Sequence, residues 1–165
     1  MSAADLAVAG AGLAAPVTML LDARARGLDE SGLRAWAREL TDASGAPHAA
    51  RSYRFPYALL AWHSEPVGVD LERIESCDEA FAELICTPSE RTDARMWDER
   101  DAYLSSLWCS KEALAKALGD ALRYEPGRLD SPMRWPGLRA GPWRARSVES
   151  VPRHVAWLCW RDTRG

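Results

Sequence analysis

The chain has 165 residues, 21 basic and 24 acidic, for a net charge of −3 and a pI near 5.7. That balance argues against electrostatic capture of nucleic acid, whose phosphates demand a basic surface. No stretch approaches the apolar length needed to span a bilayer, and the chain is long enough to bury a core as one domain, 1–165.

The first fifteen residues are rich in alanine and glycine and carry Asp5 but no lysine or arginine, so the positive start of a signal peptide is missing. The expectation is a cytoplasmic protein with a loose N-terminus. Pro16 to Leu21 predicts a first strand, and Leu28, Leu33, Trp36, Ala37 and Leu40 mark an amphipathic helix from about Asp29 to Asp42. Tyr57 to Trp62, the turn His63-Ser64-Glu65 and Pro66 to Leu71 read as a hairpin. In its second arm Val67, Val69 and Leu71 alternate with Gly68, Asp70 and Glu72, which puts both carboxylates on one face of a strand. Charge repulsion disfavours that unless the face is solvated or a cation is shared.

Asp78 to Ile85 predicts a short helix burying Phe81, Leu84 and Ile85, and 92–100 is a charged, exposed run with Trp97 as its exception. A long helix follows from about Asp98 to Leu118, with Gly119 placed to end it. Only two residues are lysines, Lys111 and Lys116, and both lie in this helix beside Glu112. Lys111 falls within the apolar stripe, where its stem packs while the ammonium reaches an edge, or it meets an anion inside a cleft. Glu112 and Lys116, four apart, share the edge of that stripe. Arg123 to Arg139 is irregular, and Trp143 to Val148 and His154 to Trp160 predict a closing hairpin. Cys77, Cys86, Cys109 and Cys159 have no zinc-ligand spacing and read as reduced thiols. His48, His63 and His154 have no partner pattern.

The order Gly68-Val69-Asp70-Leu71-Glu72, then Trp108-x-x-Lys111-Glu112-Ala113-x-x-Lys116, resembles the paired signature of the 4'-phosphopantetheinyl transferase superfamily. Thr87-Pro88-Ser89-Glu90 resembles a further family motif, and the likeness covers roughly 57–161. The resemblance implies an α+β fold in which a long helix packs on antiparallel strands. It also implies two unequal pseudo-symmetric halves, a shortened first half at 1–62 and a second at 63–165.

The implied reaction moves the phosphopantetheine arm of coenzyme A onto a serine of an acyl or peptidyl carrier protein, as in polyketide or nonribosomal peptide biosynthesis. By resemblance Asp70, Glu72 and Glu112 hold magnesium, Glu112 also takes the serine proton, and Lys116 faces a phosphate. Lys111 does the same or ties the helix to the sheet; Ser52 and Arg54 contact coenzyme A. The resemblance implies a monomer, with a homodimer open because short one-half relatives complete their site with a neighbouring subunit.

The chain departs from the family pattern at Ser52-Tyr53-Arg54, where tyrosine replaces a histidine, and at Gly119-Asp120-Ala121, where an acid replaces a lysine. Arg51 or Arg54 would substitute electrostatically at the first, and Arg24 and Arg26 are all that matches an early arginine segment. These departures leave open a noncatalytic or repurposed relative that binds a partner in a carrier-dependent pathway.

Overall fold

In the computed structural model, residues 15–119 and 123–163 are described; the expectations for the N-terminal alanine-rich stretch and for Asp120 lie outside them. The element order is β1 (Val17–Asp22), α1 (Glu30–Ala43), β2 (His48–Arg54), β3 (Tyr57–His63), β4 (Val67–Arg73), α2 (Glu79–Ile85), α3 (Pro88–Ala94), α4 (Arg100–Leu118), β5 (Arg139–Ala140), β6 (Trp143–Ser147) and β7 (His154–Arg161). The strands form two antiparallel sheets, β1-β3-β2 and β4-β7-β6-β5. The fold is α+β. Among the described residues no helix is long and apolar enough to cross a membrane.

Strand β3 is buried on both faces. Ala58, Leu60 and Trp62 point to α1, where they meet Leu33 and Ala37. Leu59 and Ala61 point the other way, against Val67, Val69, Leu71 and Leu158 of the second sheet. The far face of that sheet presents Ala145, Trp157 and Cys159 to Cys109, Ala113 and Leu114 of α4. The order of layers is therefore helix, sheet, sheet, helix, with three apolar interfaces.

The expected hairpin between Tyr57–Trp62 and Pro66–Leu71 does not form. Both edges of β3 are taken by β1 and β2, and β4 pairs with β7 instead. Residues 64–66 carry the chain from one sheet to the other. An alternating pattern fixes which face a strand buries and leaves its neighbour undetermined.

Helix α1 starts at the Asp29 cap, whose side chain accepts from Gly32 N at 2.7 Å. Helix α3 starts with a capping box between Thr87 and Glu90. In α2, Ala82 and Ile85 face the core, whereas Leu84, expected inside, is 65 % exposed because it lies on the opposite side of a seven-residue helix. Trp97 is also outside, 57 % exposed, with its ring stacked on Tyr103 at 5.4 Å. Helix α4 is buried almost all round, and Gly119 ends it in the left-handed region at φ 79°.

That burial settles Lys111. Its Nζ donates to Glu90 Oε2 at 2.6 Å, Ile85 O at 2.7 Å and Pro126 O at 2.8 Å, so all three protons are used inside the core. Glu90 also accepts from Thr87 N and Ser131 N, each at 2.8 Å. Burial pulls the Lys111 ammonium below its ordinary pKa and Glu90 opposes that pull. The pair ties α4 to the start of α3 and to the turn at Pro126–Arg128. Lys111→Met should cost about 3–5 kcal/mol, because it leaves the Glu90 charge buried without its partner. Adding Glu90→Gln should recover about 1 kcal/mol or more, both read from urea unfolding.

Gly68 sets how closely β4 approaches α4. A Cβ there would stand 2.0 Å from Ala113 O and 2.5 Å from Ala117 N, backbone atoms that cannot swing away. Gly68→Ala should therefore destabilise the fold by about 3 kcal/mol in the same assay.

Candidate active site

With Gly68 against α4, the next residues on the same face of β4, Asp70 and Glu72, also meet that helix. The helix answers with Trp108, Glu112 and Lys116, a stripe at spacing four. Strand and helix run in opposite senses. Trp108 Nε1 donates to Glu72 Oε1 at 3.2 Å, and Lys116 Nζ donates to Asp70 Oδ1 at 2.6 Å and to Val69 O at 3.2 Å.

A second set of contacts comes from β2, the edge of the other sheet. Ser52 Oγ donates to Asp70 Oδ1 at 2.7 Å and accepts from Leu71 N at 3.2 Å. Arg54 Nε donates to Glu72 Oε2 at 2.7 Å, and its Nη2 bonds the same carboxylate, making a two-pronged pair. Both contacts span 18 residues, so the edges β2 and β4 run in the same direction. Ser52 bridges them in place of a backbone ladder. Each carboxylate of β4 is thus gripped once from the helix and once from β2.

Glu112 sits beside them, half-buried, and accepts from the Tyr124 hydroxyl at Oε1. The Tyr124 ring stacks on Trp108, with centroids 6.5 Å apart and planes at 24°. Tyr124 was not singled out from the sequence, and it lies in an irregular segment with no periodicity to mark it. Trp108 was legible in the sequence as the first residue of the Trp108-x-x-Lys111-Glu112 motif, without a role of its own.

Asp70 is 3 % exposed and Glu72 is also buried, so neither lies on the wet face of an edge strand. Burial first, and the charge of Asp70 second, push the Glu72 acid up to about 7 against the pull of Arg54 and Trp108. Burial and Asp70 likewise raise Glu112, opposed by the Tyr124 hydrogen bond. Among the described residues no nitrogen or oxygen donor reaches the buried Asp70 Oδ2, and the Cys109 thiol lies against the same carboxylate. An orphaned carboxylate oxygen beside a second carboxylate suits a hard cation such as magnesium. Among the described residues, however, no three histidine, cysteine, aspartate or glutamate side chains are gathered as a ready metal cluster. The expected set of Asp70, Glu72 and Glu112 fits in part: Asp70 and Glu112 each keep an oxygen, and both oxygens of Glu72 are engaged.

Two open hollows of about 380 Å³ each meet the Glu72 end of this row, and Arg54, Glu72, Arg73 and Glu75 line both. Phe81 and Trp108 wall the first; Phe55 and His154 wall the second. The remaining sequence-predicted groups lie elsewhere. Lys111 is sealed in the core and cannot face a phosphate, and Glu90 is its partner. Arg24 pairs with Asp22 and with the Tyr57 hydroxyl, Arg26 lies over Trp36, and Arg51 donates to Thr41 Oγ1. Tyr53 lies under Arg34.

The raised Glu72 acid gives stability a pH signature. A carboxyl with a folded pKa above its unfolded value holds its proton more tightly when folded, so its contribution is full at low pH. That contribution is lost as pH rises from about 4.5 to about 7. Glu72→Gln should accordingly gain on the order of 1–3 kcal/mol relative to wild type between pH 4.5 and pH 8, measured by urea unfolding at both ends.

The comparisons with known proteins bear on the same segments. A profile of the 4'-phosphopantetheinyl transferase superfamily matches residues 66–155, from the start of β4 into β7. The 4'-phosphopantetheinyl transferase psf-1 of Bacillus pumilus is 32 % identical over 79 residues, which is 47 % of this chain and 34 % of that protein. The match thus spans about a third of the curated relative's length. The holo-[acyl-carrier-protein] synthase of Thermotoga maritima superposes with a TM-score of 0.47 at 22 % identity, covering 60 % of this chain and 64 % of that one. The profile takes in more than half of the chain, including the acidic strand and all of α4, and the chain belongs to the 4'-phosphopantetheinyl transferase superfamily.

Proposed function

We propose that this chain transfers the 4'-phosphopantetheine arm of coenzyme A to a serine hydroxyl of an acyl or peptidyl carrier protein, with magnesium as cofactor. The observation that carries the reading is the orphaned Asp70 Oδ2, buried in a row of carboxylates with Glu112 and Lys116 on the facing helix. Residues 17–63 form one sheet unit and 67–161 the other. That break supports a two-half protein with a shortened first half at 1–62 and the site motifs in 63–165.

Phosphoryl transfer of this kind sets a weak nucleophile against a phosphorus ringed by negative oxygens, so charge neutralisation and removal of the serine proton are the two requirements. Magnesium, when bound, supplies the first by drawing charge from the pyrophosphate. Asp70 and Glu112 offer oxygens to hold it, and Glu72 stands alongside as the third carboxylate of the expected set. Glu112 is also the base, directly or through a water: burial raises its pKa, and Tyr124 fixes one oxygen so that the other is left for the metal and for the proton of the incoming hydroxyl. Lys116 is 25 % exposed and carries one proton beyond those given to Asp70 and Val69, which it would donate to a phosphate oxygen as a point charge. Ser52 orients Asp70. The attacking serine belongs to the carrier: its oxygen would bond the phosphorus of the phosphopantetheine arm as the pyrophosphate P–O bond of coenzyme A breaks, and adenosine 3',5'-bisphosphate leaves.

The test is intact-mass analysis of apo acyl and peptidyl carrier proteins after incubation with the chain, coenzyme A and magnesium. Wild type should add one phosphopantetheine to at least one carrier. Asp70→Asn and Glu112→Gln should each lower kcat/KM by about a hundredfold or more. Failure to bind coenzyme A or to modify any carrier, in a folded protein, would move the reading to a noncatalytic relative of the same fold.

A further inference from the structure

Four cationic or neutral donors crowd the acidic strand, and they do not treat its two carboxylates alike. On Glu72, Oε2 accepts from Arg54 Nε, Oε1 accepts from Trp108 Nε1, and Arg54 Nη2 closes the pair. No oxygen of Glu72 is left without a donor. On Asp70, Ser52 and Lys116 both converge on Oδ1 and leave Oδ2 buried without a nitrogen or oxygen donor among the described residues, beside the Cys109 thiol. Among the described residues, Glu112 accepts only from Tyr124, at one oxygen.

We infer that Arg54 is a built-in cation that withholds Glu72 from a divalent metal ion, leaving Asp70 and Glu112 as the carboxylates that bind it and Arg54 as the residue that sets its affinity. The inference rests on the metal-dependent transfer proposed for this site. A guanidinium in two-pronged register matches a carboxylate edge to edge, the same edge a metal ion would use. For Glu72 to join the metal, Arg54 must swing out into one of the two hollows it lines. Little else holds it: its side chain is 45 % exposed, and its remaining bond is to Tyr53 O at 3.0 Å. While it stays, its positive charge also lies close to the metal position and opposes a second cation.

The experiment is Mn²⁺ titration followed by electron paramagnetic resonance on the full chain at pH 8, with thermal unfolding to confirm that each variant folds. Glu72→Gln should bind Mn²⁺ within about threefold of wild type. Arg54→Gln should bind on the order of tenfold more tightly, and Arg54→Gln/Glu72→Gln should lose most of that gain, keeping only what removal of the Arg54 charge contributes. Asp70→Asn and Glu112→Gln should each weaken binding at least tenfold. If Asp70→Asn and Glu112→Gln leave Mn²⁺ affinity untouched, the metal reading of the site falls and this inference with it. If they abolish binding and Glu72→Gln weakens it tenfold as well, or Arg54→Gln binds no more tightly than wild type, the metal reading stands and the role given to Arg54 is overturned.

Discussion

A helix carbonyl stands where any side chain on Gly68 would be, and the rest of the site depends on that contact. Because α4 rests directly on β4 there, its stripe at 108, 112 and 116 comes within hydrogen-bond reach of Asp70 and Glu72 instead of being held off by a layer of packing. Sheet spacing alone would leave such carboxylates pointing at apolar helix surface. The close approach turns a strand–helix packing interface into a polar one along a single line of residues, while Ala113, Leu114 and Cys159 keep the interface apolar on either side.

The second constraint is electrostatic. Two carboxylates two residues apart on a buried face repel each other and lose hydration, and neither cost is met by the helix alone. Sheet β1-β3-β2 supplies the remainder by laying its edge strand β2 beside β4, so that Ser52 and Arg54 reach across the gap. The two sheets are therefore joined by more than the apolar contacts of Leu59 and Ala61 with Val69 and Leu71. Loss of the first sheet would strand Glu72 without its cation. The first sheet thus belongs to the site although it carries none of the site's carboxylates.

What was legible in the sequence follows from what is local. The alternation from Val67 to Glu72 gave the right faces of β4, and the apolar recurrence gave α4 to within two residues of its ends. The partner of β3 was misread because pairing is decided by strands far apart in the chain, β1 and β7 above all. Leu84 and Trp97 were expected inside on hydrophobicity alone. A short helix has only one buried side, however, and an aromatic ring can cover a neighbour such as Tyr103 while staying wet. Tyr124 and the grip of Arg54 on Glu72 depend on irregular backbone and on the meeting of two sheets, neither of which leaves a period in the sequence.

The two lysines show how little residue type decides by itself. Five positions along a helix turn the direction of a side chain by about 140°. Lys116 therefore faces the sheet, while Lys111 faces the short helices and the turn at Pro126. At the first position a short reach ends on Asp70 at a partly open edge, where the ammonium keeps a proton for another anion. At the second it ends on Glu90 and two carbonyls inside the core, where every proton is spent and the group can only hold the fold together. The same helix thus uses one lysine to hold the core and the other to hold Asp70 at a partly open edge, and the division is made by helical phase.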